Sequence, residues 1–180
     1  RFIQAKLDYK VSSGLSRPDF FDWPQHMIVQ LVEFDPDATV VLFGANDGQN
    51  VYHKGKVLKV GSKAWQEVYA KRVGKAMDIL TRGGRRAYWV GNPIMRDPGY
   101  RERISMMDHI YEAEAKKHPG VFYIPTWALF TDENADPDRG RCLLRIHEVA
   151  RHVDADLAGH ERHDATVDRA ARLRDTHDAD

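Results

Sequence analysis

Over the first 133 residues, short β-branched runs alternate with longer segments of helical period, and no other feature restricts the fold as much. Residues 39–43, bounded by "DPDA" and Gly44, read as a buried strand, as do residues 85–90 and 121–124, with residues 5–11 as one more. The first predicted helix starts at the cap Asp22 and carries Trp23 and Pro24, then Met27, Ile28, Leu31, Val32 and Phe34. The second opens at Ser62 and aligns Trp65, Val68, Tyr69, Val73, Met77 and Leu80 on one face; "TRGGRR" ends it. A third spans residues 101–117 with Ile104, Met107, Ile110 and Tyr111 inward, after the loop "GNPIMRDPGY" and before the stop "HPG". Strand and helix in turn predict an α/β domain whose parallel sheet is covered on both faces. Trp23, Trp65, Trp89 and Trp127 are expected mainly in its core.

In open parallel sheets of this kind ligands bind beyond the carboxyl ends of the strands. That draws attention to residues 12–16, 44–48 and 91–99, all rich in glycine or polar residues. In "VVLFGANDGQN" an apolar strand breaks into Gly44, Asn46 and Asp47. Gly44 permits a close backbone approach, Asn46 offers two N–H donors without charge, and Asp47 can brace the loop by accepting backbone N–H bonds. Such a sequence forms ordinary turns. A fixed neutral donor also suits an oxyanion, because it is already oriented when negative charge develops.

Chain-wide quantities exclude more than they select. At 180 residues one domain is the expectation, and a formal net charge of zero gives no global field for nucleic acid, an anionic membrane or an acidic partner. Cys142 is the single cysteine, so there is no internal disulfide framework and no cysteine-built zinc site. No apolar run approaches the ~20 residues of a membrane span, and "RFIQAKLDYK" has no signal-peptide core.

Four separated motifs in order, "VSSGLSRPDFFDWP", "VVLFGANDGQ", "WVGNPIMRDPGY" and "YIPTWALF", resemble the SGNH (GDSL-type) hydrolases, and within them a bacterial branch catalogued as a domain of unknown function. The likeness covers residues 9–132 and includes the family's second block at Gly14 and its third, Gly-x-Asn-Asp, at Gly44, Asn46 and Asp47. It implies a three-layer, flavodoxin-like parallel sheet of order 2-1-3-4-5. It further implies an acyl or acetyl esterase acting on a small-molecule or glycan ester of the cell envelope or extracellular space, without a cofactor. Gly14 N–H and the Asn46 side chain would hold the oxyanion, and Asp47 would support the loop. Asn92 and Arg96, on the same rim, are candidate substrate contacts, with loop hydrogen bonds and a surface cation as the plain alternative.

Two of the family's blocks are not found. No Gly-Asp-Ser tripeptide, which would carry the nucleophile, occurs in the chain, and Ser12, Ser13 and Ser16 lie in the second-block loop instead. None of the nine histidines follows an aspartate at the Asp-x-x-His spacing; Leu144 stands where His147 would need one. The expectation is a copy that starts after the first block, lacks nucleophile and base, and does not turn over. The absent first strand would lie between residues 5–11 and 39–43, leaving the chain less stable than a relative that has it. A non-catalytic α/β module that binds a glycan or protein partner is the alternative.

Composition changes near residue 134. All ten lysines and all eighteen aromatic residues precede it, and the remainder is built mainly from Arg, Asp, His, Ala, Val and Leu. This suggests a partial hydrolase-like domain over 1–133, and over 134–180 a tail that is helical, disordered or out of frame. "HEVARH" resembles a zinc motif, but His147 and His152 are five apart, about 140° round a helix, where ligands on one face need four. His160 and His163 could share a face without a third ligand, so no metal site is expected.

Overall fold

The computed structural model describes residues 4–132 and Pro137. Expectations for the tail, including those for Cys142, Leu144, His147, His152, His160 and His163, fall outside these residues. In order, the elements are α1 (Trp23–Phe34), β1 (Ala38–Val41), β2 (Val51–His53), β3 (Lys56–Leu58), α2 (Lys63–Leu80), β4 (Arg86–Val90), α3 (Pro98–Ala115) and β5 (Val121–Ile124). Single 3₁₀ turns occupy Arg82–Gly84 and Trp127–Phe130. β1, β4 and β5 form a parallel sheet in that order, with Val41 opposite Trp89 and Trp89 opposite Tyr123.

Capping residues set the helix starts. Asp22 accepts the N–H of Gln25, Ser62 that of Trp65, and Asp97 that of Tyr100. α3 therefore begins at Pro98, three residues before the sequence expectation, because proline fits a first helical turn and Asp97 satisfies an otherwise orphaned donor. β2 and β3 make a hairpin, for which the sequence analysis names no element. Its turn places Lys54 and Gly55 both at positive φ, 49° and 79°, the geometry of a tight hairpin turn that an Asn-Gly pair would have advertised.

Both connections between parallel strands move in the same direction across the sheet, β1 to β4 through α2 and β4 to β5 through α3. Right-handed crossovers then put the two helices on one face. The core agrees: Val41, Ala87 and Trp89 pack with Trp65, Tyr69, Val73 and Met77 of α2, Ile104, Met107 and Tyr111 of α3, and Trp23, Met27 and Leu31 of α1. The alternate residues Val40, Tyr88 and Phe122 are in register on the other face and outside this cluster. Among the described residues all three helices share their core with one face of the sheet, an arrangement consistent with the expected three-layer α/β fold. Trp23, Trp65 and Trp89 are buried, and Trp127 is partly buried against the cluster.

Residues 5–11 form no strand, contrary to their apolar–polar alternation. Leu7, Tyr9 and Val11 are exposed, because a strand exists only where a neighbouring backbone completes its ladder, and no such neighbour stands beside them among the described residues. Among the described residues β1 pairs with β4 alone, and it stops at Val41, two residues short of the expected end, with Val40 59 % and Leu42 63 % exposed.

Candidate functional site

The loops at the carboxyl ends of β1 and β4 meet the loop ahead of α1. After β1 the chain turns sharply: Asp47 N–H donates to the Gly44 carbonyl at 2.9 Å, with Gly44 at φ 126°. That turn buries Asp47 completely while its neighbour Asn46 stays exposed. Asp47 Oδ1 accepts the Ser16 N–H at 2.7 Å, and Oδ2 accepts the Tyr69 hydroxyl at 2.7 Å. The Tyr111 hydroxyl lies 2.7 Å from that of Tyr69. Since Tyr69 has one proton and gives it to Asp47, Tyr111 must be the donor in that second bond. Burial above all, with the neighbouring Tyr111 and Asp47 for Tyr69 and the Asp47 carboxylate for Tyr111, pushes both phenols well above their ordinary range, so they remain donors. Arg72 clamps the same loop from α2, donating to the carbonyls of Leu15 and Ser16 at 3.1 and 2.6 Å.

Asn46 Nδ2 donates to the Ser13 carbonyl at 3.2 Å, which brings its carboxamide to the Ser13–Gly14 peptide unit. That peptide is trans, so the Gly14 N–H leaves on the edge opposite the carbonyl that Asn46 holds. One Asn46 N–H is thus committed to the loop, and the second has no protein acceptor among the described residues. Glycine is required at 14 by proximity: a Cβ there would lie 2.2 Å from Asp47 Oδ1.

Asn92 sits behind the Gly44 turn, 2 % exposed, where a Cβ on Gly44 would be 2.4 Å from Asn92 Nδ2. Its backbone N–H and its side-chain N–H both donate to Asp108 Oδ1, at 2.9 and 3.1 Å. Asp108 Oδ2 is buried without a hydrogen-bond partner, and burial raises the carboxyl to about 6. Asn92 therefore buttresses the turn from below instead of opening onto solvent as a substrate contact would. Arg96 is exposed on the loop before α3, with no ion pair among the described residues.

The serines of the second-block loop offer little to a substrate. Ser13 Oγ donates to the Lys10 carbonyl at 2.6 Å and accepts from Trp23 Nε1 at 2.9 Å; Ser16 is buried. Ser12 is exposed at φ 60°. His26 and Asp8 pair at 2.7 Å although eighteen residues apart, a separation no short motif detects. Among the described residues no three potential metal ligands cluster, and no helix is long and apolar enough to cross a membrane.

Tyr69, Arg72, Tyr111 and Asp108 were not singled out from the sequence. A signal existed for Asp108 alone: a carboxylate on the inward stripe of α3, between Met107 and Tyr111. Tyr69 and Tyr111 read as ordinary core aromatics, and only their packing discloses that their hydroxyls converge on Asp47.

Fold and site together define a mixed α/β domain with a parallel three-stranded sheet, whose Gly-x-Asn-Asp turn is locked by a buried carboxylate to a second glycine loop. The chain belongs to the family described as a protein of unknown function (DUF459), whose sequence model matches residues 1–138. No curated protein matches the chain.

Proposed function

We propose that these loops are the oxyanion side of an SGNH-type ester hydrolase, an acyl or acetyl esterase of envelope or extracellular glycans, on a flavodoxin-like sheet. The observation that carries this reading is the approach of the Asn46 carboxamide to the Ser13–Gly14 peptide, with Asp47 fixing both loops. In such a site a serine oxygen attacks the acyl carbonyl, a histidine takes the serine proton, and the charge gathering on the carbonyl oxygen is met by donors already in place. The second N–H of Asn46 is such a donor; the Gly14 N–H, on the opposite edge of the peptide that Asn46 holds, joins it only if that peptide turns over when the acyl group binds, and Asn92 supports the turn that presents Asn46. Among the described residues no strand pairs with the other edge of β1, and that edge is where a first strand would add.

Neither a Gly-Asp-Ser nor an Asp-x-x-His sequence occurs in these 180 residues, and for these residues taken by themselves the proposal is binding of the acyl group without turnover. The engagement of Ser13 and burial of Ser16 favour the second reading, a binding module that retains the pocket. Acetate, the product of deacetylation, tests the pocket in a ¹⁵N-labelled sample. The Gly14 amide and the Asn46 side-chain signals should shift together and saturate, and Asn46→Ala should abolish the Gly14 response. Acetate that moves neither signal refutes the reading. Hydrolysis of p-nitrophenyl acetate should stay at the buffer rate; turnover removed by replacing Ser12, Ser13 and Ser16 with alanine would instead identify a substitute nucleophile.

A further inference from the structure

The formal charge of the whole chain is zero, but its distribution beside the site is one-sided. Between Asp47 and Glu67 there is no acidic residue, while Lys54, Lys56, Lys59 and Lys63 are all exposed and in no ion pair among the described residues. Three of the four lie on the β2–β3 hairpin or next to its end.

Period-two alternation sorts the hairpin's side chains. Val51 and Leu58 are opposite each other on the inner face, with Val51 fully buried in the core cluster and Leu58 packed against it. Tyr52 and Val57 are therefore opposite each other on the outer face, 70 % and 67 % exposed, and Lys59 falls on that face as well. Tyr52 and Val57 thus make an exposed apolar pair with the Lys59 ammonium on their own face, while Lys54 stands in the turn and Lys56, opposite His53, emerges at the turn end on the parity of the other face.

The hairpin is also tied to the proposed oxyanion turn. Gln49 Nε2 donates to the Asn46 carbonyl, Trp65 Nε1 to the Gln49 carbonyl at 2.8 Å, and Arg103 Nη1 to the Gly48 carbonyl at 3.0 Å. Val60 N–H closes the base on Asn50 Oδ1 at 2.9 Å. Tyr52 is six residues beyond Asn46, a path of at most about 20 Å.

We propose that this hairpin is the docking arm for an acidic polysaccharide, a polyuronate whose carboxylates meet Lys54, Lys56 and Lys59 while a sugar ring lies on Tyr52. This rests on the ester-hydrolase reading and narrows its substrate to an esterified anionic glycan. Lysines spread along a hairpin match a polymer with one charge per sugar, where a single phosphate would need them converged. Nucleic acid fits less well, because the hairpin has no arginine fork to take phosphate oxygens in pairs, and the chain as a whole has no positive field.

Calorimetric titration of the whole chain with polygalacturonate is the test, with dextran as the neutral control and duplex DNA as the competing polyanion. Polygalacturonate should bind, dextran should not, and affinity should fall about tenfold or more between about 50 and 300 mM NaCl as the charges are screened. A Lys54→Gln/Lys56→Gln/Lys59→Gln variant should lose at least about tenfold of the affinity, and Tyr52→Ala a further part that salt does not screen. All four positions are at the surface, so these variants keep the fold. Equal binding by the triple variant, equal binding of dextran, or tighter binding of DNA each overturns the proposal. The acetate titration follows the Asn46 side chain and the polygalacturonate titration follows the hairpin lysines and Tyr52, so failure of the docking arm and failure of the oxyanion reading show up in separate titrations.

Discussion

Replacing Gly14 with alanine tests whether Asp47 really locks two loops together. The added Cβ would sit 2.2 Å from Asp47 Oδ1 and 2.7 Å from Cγ. Comfortable non-bonded contacts are about 3.5 Å, so the carboxylate must retreat by roughly 1 Å. It has nowhere free to go, since Ser16 N–H and the Tyr69 hydroxyl hold its two oxygens at 2.7 Å each. A hydrogen bond to a charged group contributes about 1.5–3 kcal/mol and overpacking a tight site costs about 1–3 kcal/mol. Against this, alanine removes unfolded-state freedom and returns about 0.4–1 kcal/mol. The expected net loss is about 2–4 kcal/mol, a fall in Tm of roughly 5–15 °C. Urea or thermal unfolding followed by circular dichroism measures it. In an Asp47→Ala background the clash has no partner, so the same substitution should become nearly neutral, a coupling visible in the double-mutant cycle. A loss below about 1 kcal/mol, or one undiminished in the Asp47→Ala background, refutes the locking role.

Two further outcomes follow from groups below and beside the site. Burial raises Asp108 from 3.8 to about 6, so the unfolded chain loses this proton first as pH rises. Its stabilising contribution is complete below about pH 4 and is lost toward pH 6, by at most about 3 kcal/mol. Asp108→Asn keeps an acceptor for Asn92 and should flatten that part of the pH–stability curve; an unchanged slope would assign it to other groups. At the β1 edge, Leu42→Lys should alter stability by no more than about 0.5 kcal/mol and reduce concentration-dependent light scattering, because it charges an exposed unpaired strand end. A loss beyond about 1.5 kcal/mol would mean that Leu42 is covered in solution.

The sequence by itself determined the elements whose causes are local. Asp22 and Ser62 cap the helices they were expected to cap, the α2 stripe from Trp65 to Leu80 is the buried stripe, and 121–124 is a strand to the residue. Capping, period and β-branching act over a few residues, so one chain read in one dimension contains them. It also contained Gly14, Gly44, Asn46 and Asp47 as a set, and the proximity of these four is a geometric fact that spacing alone could not supply. Only the tertiary structure decided that residues 5–11 stay out of the sheet, that β1 ends at Val41, that Tyr69 backed by Tyr111 closes on Asp47 while Arg72 holds the Leu15 and Ser16 carbonyls, and that Asn92 is buried over Asp108. Each depends on backbone or side chains sixteen or more residues away. A ladder needs a second backbone, and a buried polar group needs its complement, and neither requirement leaves a mark at the position that feels it.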